Sequence, residues 1–117
     1  MKSFADASEN PAVLRHGEHG GEGHIWFRRL LSSQDFQSNI DFIDVTIIPP
    51  GSTIGQHSHL ANEEVYFVSS GSPLINVDGD RRRLKEGGVA VVRSGQWHEL
   101  VNDTQQDVKI FVIQVSC

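Results

Sequence analysis

The sequence has a single cysteine in 117 residues, Cys117, so a disulfide within the chain is excluded. No CxxC pair is present, which also excludes the common structural zinc motifs and thiol redox motifs. No uncharged apolar run approaches the length needed to cross a bilayer, and the first residues lack the apolar core of a secretory signal. We therefore expect a soluble, cytoplasmic protein that does not bind membranes.

Positive charge is also scarce, because 10 Lys and Arg residues stand against 15 Asp and Glu residues, for a net charge of −5. Such a chain repels phosphate backbones, so nucleic acid is not an expected partner. The only basic run, residues 81–85, directly follows Asp80 and is interpreted as the solvated arm of a hairpin. The Gly-rich stretch 16–24 lacks the Lys-Ser/Thr pair that a phosphate loop requires.

What the sequence does contain is a series of short apolar runs. From about Gly51 onward they recur roughly every ten residues, with Gly, Asn, Asp or Ser between them, which indicates an all-β sandwich or barrel. The length fits one domain. We predict an N-terminal arm with a Gly/His-rich loop over residues 1–24, free or bound to a partner, and a β-barrel over residues 25–117.

Several strands can be predicted individually. Ile40–Ile48 alternates as a half-buried strand does, with Ile43, Val45 and Ile47 on one face and Phe42, Asp44 and Thr46 on the other. Three further strands are predicted from their apolar character, at 25–31, 89–92 and 108–115. The Asp78-Gly79 pair predicts a tight hairpin, whereas residues 32–39 are compatible with a loop or a short helical turn.

Four residues carry the chemistry of a metal site. His57 and His59 are separated by one residue, so in a strand both imidazoles leave the same face. A turn after His59 would return Glu64 beside them, and His98 offers a third imidazole from a distant strand. An isolated HxH pair is more often ordinary surface or core histidine. Here the spacing of the surrounding residues favours three nitrogens and one oxygen as ligands.

That spacing forms two gapped motifs. The first is Gly51, five residues, His57, one residue, His59, four residues, Glu64, six residues, Gly71. The second is Gly87, five residues, Arg93-Ser94-Gly95, two residues, His98, three residues, Asn102. Together they resemble the two signature motifs of the cupin superfamily over residues 51–102. Arg93 departs from the pattern, since the family commonly has proline there, which leaves the shape of the following turn open.

The resemblance implies a fold, a metal and a range of activities. Cupins fold as a double-stranded β-helix, a small jelly-roll barrel, and the positions of His57, His59, Glu64 and His98 are the usual metal ligands of the family. These ligand types suit one divalent Mn, Fe, Ni, Co or Zn ion, and in octahedral geometry two coordination positions stay open. We expect a metal-dependent enzyme acting on a small oxygenated substrate such as a sugar acid or keto acid. Isomerase or lyase chemistry is the first expectation and iron-dependent oxygenation the second.

The alternative is a non-catalytic module that holds a carboxylate or sugar at the metal. No helix-turn-helix segment is apparent that would make the chain a transcription factor. The resemblance also implies a homodimer, with the strand at residues 25–31 pairing with the neighbouring subunit.

Several other side chains have two interpretations, a functional role at the site and an ordinary structural role. Tyr66 shares the face of Glu64 and is the candidate catalytic residue, although it would serve equally well as a core aromatic. Trp97 either walls the pocket or packs outside it. One of Arg28 and Arg29 should face the barrel, where a guanidinium would attract a substrate carboxylate, and solvent exposure is the default for both.

Three further histidines, His16, His19 and His24, lie in the Gly-rich stretch. Their spacing imposes no common ligand face, so we interpret them as a solvated loop. The alternative is that one of them folds over the mouth of the barrel.

Overall fold

The computed structural model describes the whole chain, Met1–Cys117, as two antiparallel sheets. Short 3₁₀ turns occur at Ala7–Glu9, Glu18–Gly20 and Ser33–Asp35. None of these helical segments has the length and apolar character needed to cross a membrane. The ten strands are β1 (Val13–His16), β2 (His24–Ser32), β3 (Ile40–Ile48), β4 (Thr53–Ser58), β5 (Asn62–Ser70), β6 (Leu74–Val77), β7 (Asp80–Arg83), β8 (Val89–Val92), β9 (Trp97–Val101) and β10 (Val108–Ser116).

The two sheets have a jelly-roll order. One contains six strands in the order β1-β2-β3-β10-β5-β8, and the other contains four in the order β4-β9-β6-β7. Strands β1 to β3 are consecutive in sequence, as are β6 and β7, whereas the neighbours β3-β10, β10-β5, β5-β8, β4-β9 and β9-β6 are distant because the chain passes repeatedly from one sheet to the other. The prediction of an all-β jelly-roll barrel is therefore confirmed.

The core lies between the sheets, where β-branched and leucine side chains from both inner faces meet. Its buried apolar members are Ile25, Ile48, Ile54, Tyr66, Val68, Ile75, Leu100, Val108, Ile110 and Val112. Asn102 is also fully buried, and its amide donates hydrogen bonds to the carbonyls of Ile48 and Gln106 at 2.8 Å each. Its oxygen accepts from the backbone and hydroxyl of Thr104, so every polar group of this side chain is paired.

Strand β3 places its more polar face toward the interior. Asp44 and Thr46 are 7% and 5% exposed, and both line the cavity inside the barrel. Val45 is buried on the opposite face, where Ala7 and Ala12 of the N-terminal segment lie near it. Both faces of the strand are therefore covered, and the interior of the barrel is polar at this point.

The turns follow local chemistry. Asp78 and Gly79 adopt φ values of 51° and 90°, the pair of left-handed conformations that a two-residue hairpin requires, so the predicted β6-β7 hairpin is confirmed. Residues 32–39 include a 3₁₀ turn at Ser33–Asp35, begun by a reciprocal capping box between Ser32 and Asp35. The structure thus selects the short helical turn over an irregular loop.

Residues 1–24 lie against the barrel. Strand β1 pairs with β2 in antiparallel register, from Val13 opposite Phe27 to His16 opposite His24. The next residues cross to β4, where the Thr53 N–H donates to the Glu22 carbonyl at 2.9 Å. The division of the chain at residue 24 stays a prediction, since this segment is joined to both sheets.

Candidate metal centre

The four predicted ligands come from three strands and one connection that converge at one end of the barrel. His57 is on β4 and His98 is its direct cross-strand partner on β9. Glu64 is on β5 in the facing sheet, and His59 lies in the connection between β4 and β5. One ligand-type atom from each of the four residues lies within 4.8 Å of the others. The structure therefore brings together the whole set that the two motifs indicated.

The donor atoms point at one another. The Nε2 atoms of His59 and His98 are 2.8 Å apart, and the Glu64 Oε1 atom lies 3.0 Å from the first and 3.6 Å from the second. Two donors bound to one ion at about 2.1 Å and at a right angle are about 3 Å apart. The spacing of these atoms therefore fits adjacent ligands of a single ion, and a cation would relieve the repulsion between their lone pairs.

The orientation of His57 is determined by its own strand. Its Nδ1–H donates to the Gly55 carbonyl at 2.8 Å, which leaves the lone pair on Nε2. Metal-binding histidines are commonly held in this way by a partner on the other ring nitrogen. His98 differs, because it is fully buried and its Nδ1 atom has no hydrogen-bond partner.

The ionisation states favour neutral imidazoles, which is the form that binds metal. Burial, together with the neighbouring His57 and His59, lowers the pKa of His98 to about 3. Burial also lowers the pKa values of His57 and His59. Burial has the opposite effect on a carboxyl group and raises the pKa of Glu64 to about 7. Without a cation the centre thus carries little charge.

Tyr66 lies on the inner face of β5, 3% exposed, with its ring centroid 5.1 Å from that of His98. Its hydroxyl interacts with the Glu64 carboxyl group, which lowers the pKa of Glu64 against the larger effect of burial. Burial raises the pKa of Tyr66 well above its ordinary value, so the phenol keeps its proton at neutral pH. Its catalytic role stays a prediction, and in this position its hydroxyl lies close to the Glu64 carboxyl group.

A cavity of about 250 Å³ opens toward the end of the barrel from three of the four residues, His57, His59 and Glu64. Arg29 lines it, and its Nε and one terminal nitrogen bond to Asp44 at 2.9 and 3.1 Å. The guanidinium also lies 4.2 Å above the Phe42 ring. Arg28 points the other way and bonds to the Ala7 and Asn10 carbonyls, so of the two arginines Arg29 faces the site.

The loop between β8 and β9, which contains Arg93, supports the ligand region from outside. The Gly95 N–H donates to the His59 carbonyl at 2.7 Å, and the His59 N–H donates to the Gln96 carbonyl at 3.3 Å. Gly95 has a φ of 89°, which glycine adopts without strain. The arginine at position 93 is exposed and leaves this turn intact. Trp97 is the first residue of β9, where it is half-buried and does not line the cavity.

His19 is a site residue that the sequence offered only as an alternative, as one of three histidines interpreted as a solvated loop, and for His19 that interpretation is wrong. Its ring stacks on that of His57, with centroids 3.6 Å apart and planes 9° from parallel. His16 and His24 instead face each other as a cross-strand pair, with centroids 5.9 Å apart. Of the three histidines in the Gly-rich stretch, His19 thus lies over the barrel mouth. No ligand spacing marks it, and only the return of the loop to β4 brings it there.

Comparisons with known proteins identify the family and the fold. The cupin domain family model matches residues 44–114. The oxalate-binding protein of Thermotoga maritima is 27% identical over 94 residues, which are 80% of this chain and 78% of that protein.

Solved structures show the same fold. A predicted oxalate decarboxylase from T. maritima superposes with a TM-score of 0.93 at 24% identity, over 97% of this chain and 99% of that one. KdgF from Halomonas sp. superposes with a TM-score of 0.79 at 17% identity, over 100% and 96% of the two chains.

Proposed function

This chain belongs to the cupin family, and from that premise we propose that it binds one divalent transition metal ion through His57, His59, Glu64 and His98 to hold a small carboxylate. The observation that carries the proposal is the convergence of the four donor atoms within 4.8 Å, with His57, His59 and Glu64 lining a cavity. An ion bound there would supply positive charge that attracts and polarises carboxylate or carbonyl oxygens. Its identity among Mn, Fe, Ni, Co and Zn stays open, because imidazole and carboxylate suit all five.

Arg29 is the second anchor of the proposed ligand. Two of its five N–H groups bond to Asp44, and its NH1 group makes no hydrogen bond within the protein. Asp44 and the Phe42 face hold the guanidinium plane, so little side-chain freedom is lost when an anion binds. A molecule with an acidic group at each end could therefore span the distance between the ion and Arg29.

The relatives support this class of ligand. One relative is named an oxalate-binding protein, and the structure with the same overall fold is described as a predicted oxalate decarboxylase. The cavity of about 250 Å³ holds only a small molecule. We propose a short dicarboxylate or keto acid as the ligand.

For turnover we propose lyase or isomerase chemistry at this site, with Tyr66 as the hydrogen-bonding group. Its protonated hydroxyl is placed to donate at the buried end of the cavity, and burial excludes bulk water from that end. Tyr66→Phe removes only the hydroxyl. We expect this variant to keep its fold and metal and to lose roughly 10²-fold in turnover, the scale typical of general acid–base groups.

The second candidate function is binding without turnover. It is favoured by the interaction of Tyr66 with Glu64, which gives the hydroxyl a structural partner, and by the name of the oxalate-binding relative. In this case Tyr66→Phe leaves ligand affinity nearly unchanged, and no substrate is consumed.

The experiment begins with untagged protein, elemental analysis and calorimetric titration of oxalate and related keto acids into the metal-loaded form. Turnover assays with and without oxygen then separate lyase or isomerase chemistry from oxygenation. Arg29→Gln should weaken carboxylate binding about 10-fold or more, because a charge-assisted hydrogen bond contributes roughly 1.5–3 kcal/mol. Arg28→Gln is the matched control, since its side chain faces away from the cavity. Equal affinities in the two variants would refute the role of Arg29.

We also propose that the chain forms a homodimer, through the outer face of the six-stranded sheet and not through the expected pairing of residues 25–31, because β2 is already paired with β1 and β3 of its own chain. On that face the register aligns Phe111 with Phe67 and Phe67 with Val89, and beside them Ile113 with Val65 and Val65 with Val91. These six side chains form an apolar patch across three adjacent strands, with Phe67 40% and Val89 51% exposed. An apolar patch of this kind can be covered by the same patch of a second copy, which suits a twofold contact between identical chains.

Light scattering coupled to size-exclusion chromatography tests the dimer. Phe67→Lys should convert it to a monomer, because a buried unpaired charge on each side would oppose association. Phe4→Lys is the control, since Phe4 is 89% exposed and lies outside the patch. A wild-type protein that stays monomeric at high concentration would rule out this interface.

A further inference from the structure

The loop before β2 contributes a histidine to the centre without being part of the predicted ligand set. Its turn at Glu18–Gly20 carries His19, whose φ and ψ of 50° and 35° lie in the left-handed region. Only a few per cent of residues other than glycine adopt such a conformation, so the surrounding contacts must hold it. Those contacts are made with β4, the strand that carries His57.

Two glycines allow the loop to reach β4. A Cβ atom on Gly55 would lie 2.1 Å from the His19 carbonyl oxygen, and one on Gly21 would lie 2.5 Å from the Thr53 carbonyl oxygen. Neither position can accept a side chain unless the backbone moves. Thr53 secures the contact, because its hydroxyl accepts from the Glu22 N–H at 2.8 Å. The position of His19 is thus determined by backbone packing on both sides.

The same contact orients His57. Gly55 accepts the Nδ1–H of His57 at 2.8 Å, and the stacked His19 ring covers one face of the imidazole at 3.6 Å. The hydrogen bond selects which nitrogen carries the lone pair, while the stack restricts rotation of the ring out of the centre. Gly55 serves both contacts, since its carbonyl holds His57 and its missing side chain admits the His19 backbone.

We infer that His19 is a positioning residue for the metal centre, which holds the His57 ring in the orientation that directs Nε2 at the ion. This inference rests on the proposed metal-binding function. It requires only the aromatic ring of His19, because the contact is a face-to-face stack. The outer partners of metal ligands typically contribute 10- to 100-fold to affinity, which sets the expected effect.

The test compares metal affinity in three variants by competition with a chromophoric chelator, using Co²⁺ and Zn²⁺. His19→Ala should raise the dissociation constant by about 10-fold, and His19→Phe should restore a value close to that of the wild type. His16→Ala is the matched control, because His16 belongs to the same segment but pairs with His24 and does not touch the centre. Melting curves of the metal-free variants establish that each is folded.

Nuclear magnetic resonance of the metal-free protein supplies an independent readout. In the wild type and in His19→Phe, the His57 ring nitrogens should show a single tautomer with the proton on Nδ1. His19→Ala should show exchange between tautomers, because a ring that rotates without the stack breaks its hydrogen bond to the Gly55 carbonyl. Failure of the wild type to bind any metal overturns the proposed function, and the tautomer measurement still decides the role of His19. Unchanged affinity and an unchanged tautomer in His19→Ala would overturn the inference. So would a His19→Phe variant that behaves like His19→Ala, since the nitrogen and not the ring would then be required.

Discussion

Metal binding to this centre should release a proton from Glu64 when the pH is below 7. Desolvation raises the pKa of this buried carboxyl group to about 7, and the nearby Asp44 carboxylate contributes in the same direction. A carboxyl group must be ionised to bind a metal ion, so the ion and the proton compete for Glu64. The histidines compete less, because burial lowers their pKa values, that of His98 to about 3.

The size of the effect follows from the pKa of Glu64. At pH 6 about ten of every eleven metal-free molecules carry a proton on a group with a pKa of about 7, and at pH 8 only about one in eleven does. Binding should therefore release about 0.9 proton at pH 6 and about 0.1 at pH 8. The apparent dissociation constant should rise about 10-fold as the pH falls from 8 to 6.

Isothermal titration calorimetry in buffers of different ionisation enthalpy measures this proton release directly. Glu64→Gln is the control, because it keeps the shape of the side chain and removes the ionisable group. We expect it to bind metal more weakly at pH 8 and to lose the pH dependence attributed to Glu64. Equal proton release by the wild type and Glu64→Gln at pH 6 would show that the carboxyl group is already ionised, and the reasoning from burial would be wrong.

Three further outcomes test the centre and the barrel. His57→Ala or His98→Ala should reduce bound metal to a small fraction of the wild-type content, measured by elemental analysis on folded protein; stoichiometric metal in both would exclude them as ligands. Removing the metal by chelation should lower the melting temperature, since an ion at 100 times its dissociation constant stabilises the native state by about 2.7 kcal/mol. Identical melting curves would show that the bound metal does not contribute to the stability of the fold. Asn102→Asp should destabilise the metal-free protein by about 3 kcal/mol or more, because the buried Ile48 carbonyl and the part-buried Gln106 carbonyl lose their donors. Equal free energies of unfolding in denaturant for this variant and for the exposed control Asn39→Asp would refute this.

Much of the fold could be predicted because its signals are local. The alternation of residues 40–48, the apolar run at 108–115 and the Asp78-Gly79 turn each depend on neighbouring residues and on backbone sterics. The grouping of His57, His59, Glu64 and His98 could be predicted for a different reason. Metal ligation requires particular residue types at spacings that a barrel imposes, so the two gapped motifs carry information about distant contacts.

The sequence could not say which face of a strand lies inside the barrel when both faces are covered. Period-two alternation separates Asp44 and Thr46 from Val45, but it does not label either face as interior. For the same reason Arg28 and Arg29 were equivalent candidates. The choice depends on the register of β2 against β3 and on the N-terminal segment that lies over the outer face.

The sequence by itself therefore indicated an all-β fold, its hairpin and the clustering of the four candidate ligands, the hairpin from local residue types and the other two with the help of the resemblance to the cupin motifs. Only the tertiary structure decided that Arg29 faces the cavity and that His19 stacks on His57. The Gly-rich stretch that carries His19 has no periodicity, and glycines that permit many backbone conformations specify none of them. Its path is selected by packing against Gly55 and Thr53, more than thirty residues away in the chain.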